Sequence, residues 1–131
     1  MKKIAIFCLI LFMAGAMMAS LPVPAPRILL YYFHPANCSK TCANVEKASR
    51  EAVMALYPVK VKRAEFVFKS FNLGEKEGVA MAAKYQIKGK TLVLIIEDKR
   101  ADLTKMAFKY ADKHPEKVAE EIKLAVENLL K

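Results

Sequence analysis

The chain has 131 residues, 55% of them hydrophobic, with 22 Lys and Arg against 13 Asp and Glu for a formal charge of +9. That length accommodates one ordinary domain and excludes a second large core, and the apolar content excludes a disordered chain. The cations are spread along the chain without interleaved aromatics, which speaks against a nucleic-acid partner and for a solvated basic exterior.

Ile4 to Leu21 is an uncharged run of 18 residues behind Lys2 and Lys3, with small residues at Ala14-Gly15-Ala16 and Ala19-Ser20. This is the pattern of a secretory signal over residues 1–20, and the run is also just long enough to stay as a membrane anchor. Both outcomes predict an exported chain, periplasmic in a bacterium or otherwise secreted. It would meet a membrane only if this segment is retained. Removal of Lys2 and Lys3 takes the formal charge from +9 to +7. Residues 21–26, Leu-Pro-Val-Pro-Ala-Pro, read as a stiff extended linker because alternating prolines fix the backbone. The domain proper is then 27–131.

Arg27 to Phe33 is a nearly continuous aliphatic and aromatic run, which suits a central strand covered on both faces. His34-Pro35-Ala36-Asn37 breaks it. From about Ser39 the period changes to three and four, through Cys42, Val45, Ser49, Ala52, Val53 and Leu56, with Asn37 or Ser39 as N-cap. Pro58 ends this helix. Val61 to Phe71 alternates as a second strand. Glu75 to Tyr85 predicts a short helix with Val79, Ala82 and Ala83 inward, and Thr91 to Ile96 is the strongest strand signal in the chain.

Glu97-Asp98-Lys99-Arg100 reads as a polar turn closing a hairpin into a last strand over Ala101 to Phe108. Pro115 to Leu130 is a helix, with Pro in its first turn, early glutamates, and Val118, Ile122, Ala125 and Leu129 aligned. The order βαβαββα implies an α/β fold. Its small mixed sheet has a parallel first pair, an antiparallel last pair, and helices on both faces.

Cys8 lies in the apolar leader, so the domain holds one pair, Cys38 and Cys42. A bridge across so short a loop removes little chain entropy from the unfolded state, so the spacing favours chemistry over stapling. At i and i+4 within regular helix the Cβ atoms would lie about 5–6 Å apart. A disulfide wants about 3.5–4.5 Å, so Cys38 must sit outside the helical region or the bridge must be strained. The N–H groups of a helix N-terminus favour an anion, and Lys40 adds a cation, so Cys38 is the expected nucleophile and Cys42 the resolving thiol.

Tyr31-Tyr32-Phe33-His34-Pro35-Ala36-Asn37-Cys38 resembles the first central strand, turn and first redox cysteine of the thioredoxin-like superfamily. Lys84-Tyr85-Gln86-Ile87-Lys88-Gly89-Lys90-Thr91-Leu92 is similar to that family's approach to its third strand. The resemblance spans about residues 27 to 131 and implies a thioredoxin-like fold. It implies thiol-disulfide exchange through Cys38 and Cys42, with protein thiols or disulfides as substrates, a redox partner protein, and no cofactor. Three departures stand out. The pair has three residues between its cysteines where the family usually has two, Thr91 occupies the place of the family's cis-proline facing the cysteines, and Tyr32 stands where many members bury a carboxylate.

Two other readings follow from the same residues. Two thiolates with His34 could hold Cu(I), and the Cys-x-x-x-Cys spacing is similar to that of the Sco-type copper chaperones. His114, beside Pro115, reads as a helix-start residue. Thr91 and Tyr32 favour a third reading, a non-catalytic thioredoxin-like interaction module.

Overall fold

Residues 27–131 are described by a computed structural model. The signal or anchor expected at 1–20 and the linker expected at 21–26 fall outside the described residues. No helix among the described residues is long and apolar enough to cross a membrane.

The apolar run after Arg27 forms β1 (Ile28–His34), with β2 (Phe66–Asn72) on one side and β3 (Thr91–Ile96) on the other; β4 (Lys99–Asp102) completes the sheet in the order β2-β1-β3-β4. β1 runs parallel to β2, with Ile28 opposite Phe66 and His34 opposite Asn72. It runs antiparallel to β3, with Ile28 opposite Ile96 and Phe33 opposite Thr91. The parallel pair needs a crossover, supplied by α1 (Lys40–Leu56) and α2 (Pro58–Lys62). α3 (Lys76–Lys84) links β2 to β3, and α4 (Thr104–Tyr110) and α5 (Pro115–Leu130) follow the sheet.

Because β1 and β3 are apolar at nearly every position, both faces of the sheet can be covered. Ile28, Leu30 and Tyr32 of β1 and Leu92, Leu94 and Ile96 of β3 point to the larger core. There they meet Val45 and Val53 of α1, Ala107 of α4, and Val118 and Ile122 of α5. Phe33, Phe71, Val93 and Ile95 point the other way, to Ala82 of α3. Each fully buried Leu or Ile in these layers contributes about 1.5–3 kcal/mol of transfer free energy.

The mixed α/β sheet with helices on both faces is as expected, and α5 has the expected bounds. Three local readings are corrected. The last strand does not run from Ala101 to Phe108: it ends at Asp102, and Thr104–Tyr110 is helix. The Asp102 carboxylate accepts from the Thr104 N–H and hydroxyl, turning the chain out of the sheet, and the Thr104 hydroxyl oxygen then accepts from the Leu92 N–H at 3.0 Å. Nor does the second strand begin at Val61. Pro58 both ends α1 and serves as the first residue of α2, and Ala64 takes a left-handed φ of 57° before β2 starts at Phe66. In α3, Val79 and Ala83 are exposed, while Gly78 and Ala82 face inward. The helix approaches the end of β2 so closely that its contact residue has no side chain.

Ser49 in α1 is fully buried and its hydroxyl has no hydrogen-bond partner among the described residues. An unpaired buried hydroxyl costs about 1–3 kcal/mol, and alanine is also the better helix former. Ser49→Ala is therefore expected to stabilise the fold by about 1 kcal/mol, seen as a higher urea midpoint with unchanged slope. An equal or lower midpoint would show that the hydroxyl is satisfied in solution.

Candidate functional site

At the C-terminal end of β1 the chain turns through Pro35-Ala36-Asn37 and enters α1. Ser39 is the N-cap, in extended conformation (φ −70°, ψ 173°), and the Cys42 N–H donates to its carbonyl at 3.1 Å. Cys38 therefore lies before the helix, which meets the condition set by the spacing. Cys38 and Cys42 form a disulfide with Cα atoms 5.8 Å apart, inside the usual range for a bridge.

The two sulfur-bearing residues differ in access. Cys42 is buried, 5% exposed, on the inner side of α1, whereas Cys38 is half-buried at its open end. Ser39 makes no side-chain cap, and the first turn of α1 contains no acidic residue. The positive end of α1 thus faces Cys38 with no carboxylate supplied by the helix's own first turn.

An open cleft of about 200 Å³ flanks the bridge, lined by Tyr32, His34, Cys38, Cys42, Ala43 and Glu46 among others. Tyr32 is fully buried. Its hydroxyl donates to the Cys42 carbonyl at 3.2 Å, and burial, then the charge of Glu46, pushes its pKa up to about 12. The half-buried ring of His34 lies 5.6 Å from that of Tyr32, and its Nδ1 is 3.1 Å from the Pro35 carbonyl oxygen. A carbonyl only accepts, so this contact assigns the hydrogen to Nδ1 and leaves Nε2 with its lone pair in the neutral ring.

The other anticipated residues are placed differently. Lys40 is exposed as the first residue of α1 and is not among the residues lining the cleft. Thr91 pairs with Phe33, so its side chain belongs to the α3 face of the sheet, where its hydroxyl donates to the Gly89 carbonyl at 2.9 Å; it does not line the cleft either. His114 precedes α5 as its N-cap residue and contacts Glu116 at 3.3 Å. His34, Cys38 and Cys42 share the cleft, but no group of three His, Cys, Asp or Glu side chains converges as a ligand set among the described residues.

Two residues beyond those anticipated shape the site. Glu46 stands one turn after Cys42 on the same helix, a spacing that could have drawn attention to it. Asp112, beyond the end of α4, had no local signal. Its carboxylate accepts from Thr41 Oγ1 at 2.9 Å and Asn44 Nδ2 at 2.8 Å, tying the first turns of α1 to the α4–α5 connection. These hydrogen bonds, Asn44 first and then Thr41, hold its pKa below the usual carboxylate value, with Lys40 and Lys113 helping.

The lowered pKa sets the sign of a pH effect. The stability that this clamp gives is present above the unfolded carboxylate pKa and is lost as pH falls through the folded value. The difference in melting temperature between the protein and Asp112→Ala is expected to be constant from neutral pH to about pH 5 and to shrink below about pH 4. A difference that grows in acid would reverse this assignment.

No protein-family model matches the chain, and no curated protein matches it. A solved structure described as "Structure of a malarial protein" is similar at 16% identity over 58% of this chain and 80% of that one, with a TM-score of 0.42. A likeness at that level assigns neither family nor function.

Proposed function

We propose that this is an exported thiol-disulfide exchange protein of thioredoxin-like fold, acting through Cys38 and Cys42. The observation that carries the reading is the asymmetry of the bridged pair: a reachable sulfur ahead of the helix and a buried one a turn inside it. The sheet supports the same reading, with its central first strand, a parallel neighbour reached through a helical crossover, and an antiparallel hairpin beyond.

In the reduced protein, the Cys38 thiolate attacks one sulfur of a substrate disulfide. A bond forms between Cys38 and that sulfur, and the other substrate sulfur leaves as a thiolate. Cys42 then attacks Cys38, re-forming the intramolecular bridge and releasing the second substrate thiol. The substrate disulfide gains two electrons and the protein's dithiol loses two. The reverse sequence oxidises a substrate dithiol. Protein thiols or disulfides and a redox partner protein are the proposed clients, and the expected leader accounts for the exported location.

The test is competitive alkylation of the reduced domain, with the labelled cysteines resolved by mass spectrometry. Cys38 is expected to be labelled about tenfold faster than Cys42, because it combines access with the helix N-terminus. Faster labelling of Cys42 would contradict the assignment of nucleophile and resolving thiol.

A further inference from the structure

Three stretches that build the bridge end of the sheet hold no acid. Arg27 to Val45, Gly78 to Ile96 and Leu103 to Ala111 contain no Asp or Glu, while Lys40 and Lys90 fall within the first two. The strand register sets Lys90 at this end: Thr91 pairs with Phe33, so the residue before it stands level with His34, which lines the cleft. α4 supplies the next contact. The Phe108 ring is 6.4 Å from that of Tyr32, another residue of the cleft, and the Lys90 ammonium sits 4.5 Å from the centre of the Phe108 ring. A cation held over an aromatic face keeps a defined place. Lys40 precedes Thr41, whose hydroxyl bonds Asp112 beyond α4, so it lies toward the same side.

The carboxylates bordering this end are engaged. Glu46 binds Arg50 at 2.8 Å, Asp112 accepts from Thr41 and Asn44, and Glu77 binds Lys69 at 2.7 Å. Glu75 stands beside Asn72 at the start of α3, on the other side of the sheet end. Lys40 and Lys90 are exposed and belong to no ion pair among the described residues. Positive charge without a partner therefore collects on the α4 side of the cleft, next to the positive end of α1.

We propose that Lys90, together with Lys40, selects disulfides whose cysteine is flanked by acidic residues, so that the clients are anionic peptide segments. This rests on the exchange reading and adds no chemical step to it. Attack brings the substrate sulfur to Cys38, and the residues beside that sulfur then cross the mouth of the cleft. There the two ammonium groups attract a carboxylate and repel a lysine. The gain lies in encounter and orientation, and salt screens it.

The test uses three peptides that differ only beside a single cysteine, flanked by Glu, Gln or Lys, each activated as a 2-pyridyl disulfide. Attack by the reduced protein on the peptide sulfur frees neutral pyridine-2-thione, which is followed by its absorbance. At about 20 mM salt the Glu peptide is expected to react about tenfold faster than the Lys peptide, with the Gln peptide between them, and the rates to converge at about 0.5 M. Lys90→Gln is expected to cut the Glu-to-Lys ratio to about threefold, and Lys40→Gln with Lys90→Gln to below about twofold. The Gln peptide reads any change in the Cys38 thiolate itself, so the ratios isolate selection. Lys99→Gln is the control: Lys99 pairs with Ile96, itself opposite Ile28, at the far end of β1 from His34, and the ratio is expected to hold. Equal rates for the three peptides, preference for the Lys peptide, a ratio unchanged in the double variant, or an equal loss in Lys99→Gln would each overturn the selection. Reduced protein that frees thione from none of the peptides beyond the background of Cys38→Ser would overturn the exchange reading itself, which keeps the two failures apart.

Discussion

Cys38→Ser is expected to reduce disulfide exchange to the uncatalysed background, a loss of about a hundredfold or more, because the thiolate is the nucleophile and a serine hydroxyl does not replace it at neutral pH. Cys42→Ser is expected to behave differently. It retains the attacking sulfur, so the first displacement proceeds and the chain stalls as a mixed disulfide that mass spectrometry detects as an added substrate fragment. The distinction follows from position. Cys38 stands before the N-cap Ser39 at the mouth of the cleft, whereas Cys42 is enclosed behind it, under the Tyr32 hydroxyl. Two variants that both kill the first step, or both leave it intact, would mean that the sulfurs do not act in sequence.

Gly78→Ala carries the largest expected effect on stability, and its sign is diagnostic. In a helix interior alanine is favoured over glycine by about 1 kcal/mol, so intrinsic propensity alone predicts stabilisation. Here the added methyl would run into the Asn72 carbonyl at the end of β2. That carbonyl belongs to a fixed piece of backbone. Asn72 is in register with His34, the Leu73 N–H donates to the His34 carbonyl at 2.8 Å, and the Glu75 N–H donates to the Asn72 carbonyl at 3.0 Å. The clash can be relieved only by moving α3 or breaking these bonds, so a net loss of about 3 kcal/mol is expected in urea unfolding followed by circular dichroism. Because His34 lines the cleft, the same displacement reaches the site. A stabilised Gly78→Ala would mean that α3 sits further from the sheet than described.

The parts of this fold legible in the sequence are those whose pattern is long or unambiguous. Thr91 to Ile96 has six strand-forming residues in a row, Pro115 to Leu130 has four turns of one period with a proline start, and the change of period after Asn37 marks α1. The two short helices were not legible for the same reason. Pro58–Lys62 has five residues and Thr104–Tyr110 seven, too few to separate a helical period from alternation. α4 depends on the local Asp102–Thr104 turn and on the Thr104 bond to Leu92, and the second of these exists only once β3 is in place.

The site divides in a similar way. The cysteine pair and the start of α1 could be read locally, and Glu46 falls on the helical spacing from Cys42. Asp112 reaches Thr41 and Asn44 across 71 and 68 residues, so its role belongs to the packing of the α4–α5 connection on α1. Thr91 was aligned with a cysteine-facing position, but pairing with Phe33 assigns its side chain to the other face of the sheet.

The most direct measurement is the redox state of the Cys38–Cys42 bridge in the domain equilibrated across ratios of reduced to oxidised glutathione, read by thiol counting after acid quench. Disulfide exchange predicts a reversible two-electron transition, identical from the reduced and oxidised sides, with glutathione trapped on Cys38 in Cys42→Ser. A bridge that stays closed at every ratio, or thiols that never pair, would contradict it.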